Sequence, residues 1–263
     1  MEEPILIERR EGWRKLVLNR PDKLNALNEQ VLAAVSAAFD AAEADASCRA
    51  LLLTGAGRGF CAGQELGPAI IPGPDGPPDL GRIADGYHRG VVRRVRALPI
   101  PVVCAVNGVA AGAGANVALA CDIVLAARGA SFVQAFVRIG LVPDCGGTFF
   151  LPRLVGEARA RAMAMLGEPV GAEQAEAWGL IWKAVDDATL MAEAEALTAR
   201  LAQAPTEAIG LMKRLFEASP ANTLDAQLGL EAEMQTTAGR SADYAEGVRA
   251  FLAKRKPAFR GRA

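Results

Sequence analysis

The sequence predicts an α/β protein. Three observations carry that expectation. Short uncharged apolar runs, of the kind that form strands covered on both faces, recur between residues 50 and 133. Segments with helical spacing of apolar residues lie between them, and beyond residue 145 the helical pattern takes over. The 263 residues are 51% hydrophobic and 22% charged, which suits one large domain with a real core and is too apolar for a disordered chain.

Residues 4–20 read as two strands around a turn at Glu11-Gly12, with Leu16-Val17-Leu18 in the second. Asn28 is placed to cap a helix over residues 29–44 that presents Val31, Leu32, Val35 and Phe39 on one face. Ala50 to Thr54 reads as a strand buried on both faces, and residues 55–59 as a glycine loop. Residues 67–81 hold five of the fifteen prolines and read as an irregular surface loop. A helix over 82–97 follows, whose basic run Arg93-Arg94-Val95-Arg96 reads as a solvated face. Val102 to Val106 is a second buried strand, ended by Asn107-Gly108, and a helix over 113–120 packs behind it. Ile123 to Ala126 and Ser131 to Val133 are further strands. Helices are then expected over 146–155, 157–166, 172–178, 189–203, 206–218, 222–239 and 243–253.

Composition removes several function classes. With 29 basic and 30 acidic side chains, the chain does not bind nucleic acid by bulk charge. A lone histidine, His88, rules out histidine-rich zinc sites and most histidine-dependent triads. Five scattered cysteines without a CxxC pair point to free thiols in a reducing compartment, hence the cytoplasm, and Cys61 and Cys145 read as packing residues. The N-terminus is charged from its second residue and lacks an apolar leader core. Ile100 to Cys121 carries no charge and is long enough to span a bilayer. Pro101, Asn107, Asn116 and three glycines interrupt it, so a strand, a glycine loop and a buried helix are expected instead of a membrane segment.

Gly57, Gly59 and Gly63 echo a dinucleotide fingerprint, but the prolines that follow leave no room for its helix, and no GK[ST] is present. The two glycine loops, 55–65 and 107–116, instead follow buried strands and can turn backbone N–H groups toward an anionic oxygen.

Four motifs, in order along the chain, are Asn19-Arg20-Pro21 with Leu24-Asn25-Ala26-Leu27, Gly59-Phe60-Cys61-Ala62-Gly63-Gln64, Ala105-Val106-Asn107-Gly108-Val109-Ala110-Ala111-Gly112, and Gly140-Leu141-Val142-Pro143-Asp144 with Gly146-Gly147-Thr148. Together they resemble the crotonase (enoyl-CoA hydratase/isomerase) superfamily over essentially the whole chain. The resemblance implies a spiral of ββα turns over residues 1–200 and a helical trimerisation segment over 201–263. It implies homotrimers or hexamers, an acyl-CoA substrate with no metal or other cofactor, no nucleic-acid or membrane partner, and a sister enoyl-CoA hydratase as a candidate partner.

The implied activity is acyl-CoA isomerisation, of ring 1,2-epoxyphenylacetyl-CoA to its oxepin, with 3-enoyl to 2-enoyl isomerisation as a second activity. By motif position, the resemblance places two oxyanion donors on the backbone N–H groups of Gln64 and Ala113. The two glutamate positions of the family's hydratases hold Asn116 and Phe136, neither of which can take a proton from water. Asp144 stands where the family's isomerases can carry their acid/base carboxylate, although on its own it also reads as the N-cap of the helix that follows. Lys23, Ala26, Ala62, Gly63, Phe136 and Lys254 are the implied substrate and CoA contacts. Glu65, where the family commonly has Asp, reads as structural, His88 as a surface group or pocket lining, and loop 67–81 as a wall of the acyl pocket. Two alternatives stand beside this reading. One is an aryl-CoA dehalogenase-like enzyme with Asp144 as nucleophile, in which Phe136 replaces a ring-stacking tryptophan. The other is a non-catalytic crotonase-like binding protein.

Overall fold

Two sheets built from short apolar runs organise the chain. The computed structural model describes residues 3–67, 70–73 and 76–261, and of residues 87–89 the backbone alone. The expectation for His88 and part of the proline-rich loop therefore lie outside the described residues. The strands are β1 (Ile5–Arg10), β2 (Trp13–Leu18), β3 (Ala50–Gly55), β4 (Gly59–Cys61), β5 (Val102–Val106), β6 (Val109–Ala111), β7 (Ile123–Ala127), β8 (Ser131–Val133), β9 (Pro169–Gly171) and β10 (Lys183–Val185). The helices are α1 (Glu29–Ala44), α2 (Leu80–Ile83), α3 (Arg89–Ala97), α4 (Ala113–Ala120), α5 (Gly147–Val155), α6 (Glu157–Leu166), α7 (Ala172–Trp178), α8 (Leu190–Ala202), α9 (Thr206–Ala218), α10 (Leu224–Gly239) and α11 (Ala242–Leu252).

The larger sheet has the order β1-β2-β3-β5-β7-β10 and is parallel except for the β1–β2 hairpin. The smaller has the order β4-β6-β8-β9, parallel except for β9. Each circuit of the chain lays one strand on the large sheet, one on the small sheet, and returns through helix: β3-β4-α2-α3, then β5-β6-α4, then β7-β8-α5. This is the ββα spiral that the family resemblance implies. The three uncharged runs become β3, β5 and β7, side by side at the centre of the large sheet, and Leu51, Leu52, Val102, Val103 and Leu125 are at most 1% exposed. Asn28 caps α1 as expected: its Oδ1 accepts the Val31 N–H at 3.0 Å, and Val31, Leu32, Val35 and Phe39 are buried.

Several expectations need correction. The chain beyond residue 145 is not solely helical, because β9 and β10 intervene. Both are three residues long, too short for a two-residue period to register, and each is made by pairing with a distant strand: Ser131 opposite Gly171, Lys183 opposite Leu125. β4 and β6 were hidden inside the glycine loops for the same reason. The helix expected over 82–97 runs as α2, a π turn at Ala84–His88, and α3. Its basic run is not simply a solvated face. Arg94 pairs with Asp40 and Glu43 of α1, while Arg96 pairs with Glu217 of α9 at 2.7 Å and lies over the Phe150 ring. The uncharged stretch from Ile100 forms β5, β6 and the buried α4, and no helix among the described residues is long and apolar enough to cross a membrane. All five cysteines are free and buried.

One polar contact ties the C-terminal helices to the sheet. Lys213 of α9 reaches Asp122 Oδ2 at 2.7 Å and donates to the Ile100 and Val95 carbonyls, while the same Asp122 oxygen accepts the Val102 N–H at 2.8 Å. The Lys213 side chain is 9% exposed. Lys213→Met leaves a largely buried carboxylate without its counter-charge and two carbonyls without the ammonium donor, and is expected to cost about 3 kcal/mol. Urea unfolding checks this: the midpoint falls with the slope unchanged, and an unmoved midpoint would show that the pair adds nothing.

Candidate active site

β4 and β6 are parallel neighbours, so the segments that follow them leave the small sheet on the same edge. There the two backbones touch. Gly63 has φ +89°, and a Cβ on it would sit 2.7 Å from the Ala111 carbonyl oxygen and 3.4 Å from the Ala113 nitrogen. A Cβ on Gly114 would sit 2.5 Å from the Cys61 carbonyl oxygen. Only glycine fits at either place.

The orientation of two N–H groups follows. Leu27 N–H donates to the Gly63 carbonyl at 2.7 Å and Glu65 N–H to the Leu27 carbonyl at 2.8 Å. These bonds flank Gln64, so the alternation of an extended segment turns the Gln64 N–H to the side away from Leu27. Ala113 is the first residue of α4, where an N–H has no acceptor within its own helix. Gln64 and Ala113 line one cavity of about 450 Å³, together with Ala62, Gly63, Phe136 and Asp144.

Asp144 comes to this cavity on a loop of unusual backbone. Gly140, Cys145 and Gly146 have φ of +73°, +48° and +80°. The N-cap of α5 is Gly146, and no side chain caps the helix. This overturns the capping role for Asp144. The left-handed pair Cys145-Gly146 separates it from the helix, and its main-chain carbonyl accepts the Gly147 N–H at 2.8 Å. That carbonyl also accepts the Asn116 Nδ2 at 2.8 Å, and Asn116 Oδ1 accepts Gln134 Nε2 at 2.8 Å. Asn116 is fully buried with both ends of its amide engaged, and the Phe136 ring packs beside Gly112, so neither side chain can exchange a proton in the cavity. Burial pushes the Cys61 thiol up to about 12. It also raises the Cys145 thiol, with the neighbouring Asp144 charge adding to the effect. Both stay protonated at neutral pH and pack, as expected. Among the described residues, no three His, Cys, Asp or Glu side chains gather to hold a metal ion.

Residues 8–262 match the family model described as enoyl-CoA hydratase/isomerase. The chain belongs to that family. The 1,2-epoxyphenylacetyl-CoA isomerase of Escherichia coli (strain K12) is 53% identical over 263 residues, the full length of both chains. The trans-2-decenoyl-[acyl-carrier-protein] isomerase of Streptococcus mutans is 34% identical over 254 residues, 95% of each chain. Among solved structures, enoyl-CoA hydratase from Bacillus anthracis matches with a TM-score of 0.91 at 30% identity, covering 98% of this chain and 99% of that one.

Of the residues that the enoyl-CoA hydratase/isomerase resemblance singled out, Gln64, Ala113, Asp144, Ala62, Gly63 and Phe136 meet at the cavity. Three others do not line it. Lys23 is exposed in a separate polar cleft of about 240 Å³ with Asn19, Arg20 and Asp22. Ala26 is buried, its carbonyl accepting Arg20 Nη1 at 2.8 Å. Lys254 is exposed in the turn after α11, with φ +52°. From the proline-rich loop and its borders, Leu66, Ile70 and Leu80 line the cavity. Glu65 is structural: Arg20 pairs with it at 2.8 Å and Asn28 Nδ2 bonds it at 3.3 Å, and the Arg20 bond chiefly lowers its pKa.

Two supporting residues escaped sequence reasoning. Asn25, buried with φ +57°, donates from Nδ2 to the Ala56 and Gly59 carbonyls and accepts the Arg20 N–H, so it holds the turn that feeds β4. An asparagine tolerates this left-handed backbone, and apart from its place in the first motif that was its signal. Gln134 gave none.

The glycine contacts are testable. Gly114→Ala forces a Cβ against the Cys61 main chain and is expected to destabilise by about 1–3 kcal/mol, as overpacking does. Gly90→Ala in α3 meets open space and is expected to be neutral or to stabilise by about 0.5–1 kcal/mol. Urea midpoints of the two variants compare them; equal midpoints would refute the close approach.

Proposed function

We propose that the protein is an acyl-CoA isomerase that converts ring 1,2-epoxyphenylacetyl-CoA to its oxepin, with 3-enoyl to 2-enoyl isomerisation as a second activity. The observation that carries this is the content of one cavity: two main-chain N–H positions, Gln64 and Ala113, and a single carboxylate, Asp144, among the described lining residues. The 53% identity to a protein named for the first reaction supports it.

Removing a proton next to a thioester, or shifting a double bond toward it, builds negative charge on the thioester oxygen. Two fixed N–H donors stabilise that charge, and the first turn of α4 adds its positive dipole end at Ala113. Asp144 then handles the proton, taking it at one carbon and returning it at another. Isomerisation conserves atoms and electrons, so this chemistry asks for no redox group and no water. Hydration needs a second proton-handling group to activate water, and the side chains at the two candidate positions are Asn116 and Phe136.

The finer organisation belongs to the same proposal. Phe216, Leu224, Phe251 and Leu252, on the helices beyond residue 200, are at least 73% exposed. Apolar exposure on that scale suits a subunit interface, in keeping with a helical assembly segment over 201–263 and a trimer or hexamer. A cytoplasmic location fits five free thiols.

Wild type and Asp144→Asn, each mixed with enzymatically made ring 1,2-epoxyphenylacetyl-CoA and separately with a 3-enoyl-CoA, test the reading by LC-MS of products. The expected result is turnover by wild type that falls about 10²- to 10⁴-fold in the variant, with thioester binding retained. No turnover by wild type, or an undiminished variant, would overturn it.

A further inference from the structure

One turn of helix both carries an N–H donor of the cavity and holds the loop that bears the carboxylate. Ala113 opens α4, and Asn116 lies one turn further on the same helix. Asn116 Nδ2 grips the Asp144 carbonyl at 2.8 Å. The grip fixes the peptide between Asp144 and Cys145, where the backbone enters the left-handed pair Cys145-Gly146. A non-glycine residue in that region holds its place only when surrounding contacts determine it. Here the contacts are Asn116 Nδ2 and the Gly147 N–H, both on one carbonyl.

An asparagine amide can sit either way round. The Asp144 carbonyl, which can only accept, decides which: Nδ2 faces it, and Oδ1 is left to accept Gln134 Nε2 at 2.8 Å. Gln134 is itself fully buried, directly after β8, and its neighbour Val133 accepts the Gly112 N–H at 2.8 Å. The β8 end thus contacts both the start of α4 and the amide that α4 extends to the Asp144 loop. A Cβ on Gly147 would fall 2.4 Å from Asn116 Nδ2, so the amide fills its slot without slack.

We propose that Asn116 is a positioning residue that sets the Asp144 carboxylate at a fixed distance from the Ala113 N–H, and that Gln134, by donating to Oδ1, supports the amide sense that the Asp144 carbonyl requires. This rests on the reading of Asp144 as the proton-handling group. Neither side chain exchanges a proton itself; the pair acts through where Asp144 stands. The consequence is specific: the sense of an amide, rather than the presence of a side chain, governs turnover.

Two substitutions reverse that sense from opposite ends. Asn116→Asp keeps the size and still accepts from Gln134, but sets an oxygen against the Asp144 carbonyl. Gln134→Glu replaces the donor with an acceptor, so the Asn116 amide turns over and also presents its oxygen to Asp144. Gln134→Met withdraws the donor without opposing it. The measurements are kcat and KM on whichever of the two thioesters wild type turns over, with urea midpoints alongside. Asn116→Asp and Gln134→Glu are each expected to lose about tenfold to hundredfold in kcat with KM within threefold, the size that a sub-ångström to 1 Å misplacement produces. Gln134→Met is expected to keep at least ten times the kcat of Gln134→Glu. If Asn116→Asp does not fold, the two Gln134 variants decide alone. An unchanged kcat in a folded Asn116→Asp or Gln134→Glu, or kcat losses that simply follow the urea midpoints, would overturn the proposal. Full activity in Asp144→Asn would instead remove the functional reading on which it rests.

Discussion

The site depends on how closely two stretches of main chain approach. Residues 61–64 and 111–114 lie backbone against backbone, and the contact survives only because Gly63 and Gly114 have no side chains. Side chains can repack around a substitution; two peptide planes in contact cannot. The spacing of the Gln64 and Ala113 N–H groups is therefore set by covalent geometry and sheet pairing, and not by rotamers. The surrounding sequence agrees with this. Ala110 and Ala115 are fully buried small residues, and α4 is buried at every position. A helix so enclosed has little freedom to rock, which is what preorganised donors require.

The same helix turn carries a second duty. Because Asn116 follows Ala113 by one turn, whatever fixes α4 also fixes the carbonyl of Asp144. The three-residue strands acquire a purpose in this light. β4, β6 and β8 are too short to contribute much pairing, yet they place Gln64, Gly112 and Gln134 at one edge of one sheet. The large sheet supplies the buried apolar mass, and the small sheet supplies position. Separating the two tasks lets the cavity be lined by main chain and small residues without weakening the core.

The sequence made the large sheet legible except for β10, and of the small sheet only β8. β3, β5 and β7 announce themselves because strands covered on both faces must be uncharged along their length, and α1 does so through Asn28 and its apolar face. The later helices are legible to within two residues at their ends. β4, β6, β9 and β10 leave no periodic trace, since three residues cannot show a period, and their pairing partners lie far off in sequence. Within the cavity, the glycines and Asp144 were legible through the motifs they form. Lys23, Ala26 and Lys254 belong to the same motifs or to the tail and line no part of it, because a residue can lie beside a site in sequence while its side chain serves another cleft, the interior or solvent. The capping role assigned to Asp144 failed on φ angles: a rule based on residue type could not foresee that Cys145 would adopt a left-handed backbone.

In the proposed reaction, what the cavity lacks in polar groups matters as much as what it has. Leu66, Ile70, Ile83, Phe136, Leu141 and Val142 give it an apolar wall, and Asp144 and Arg138 are the charged residues among the described lining. An apolar wall lowers the local dielectric, so an N–H aimed at a developing oxyanion acts more strongly than it would in water. It also keeps a proton held by Asp144 from being lost to bulk solvent before it is returned. In this proposed reaction Asn116 and Phe136, which the family resemblance sets at the positions of the two hydratase glutamates, serve both ends at once. Asn116 is the amide that holds the Asp144 carbonyl, and Phe136 is part of the wall. Hydration and isomerisation would then differ on this scaffold by little in the donors for the thioester oxygen, and mainly in whether the opposite side offers water a base or offers the substrate a dry surface.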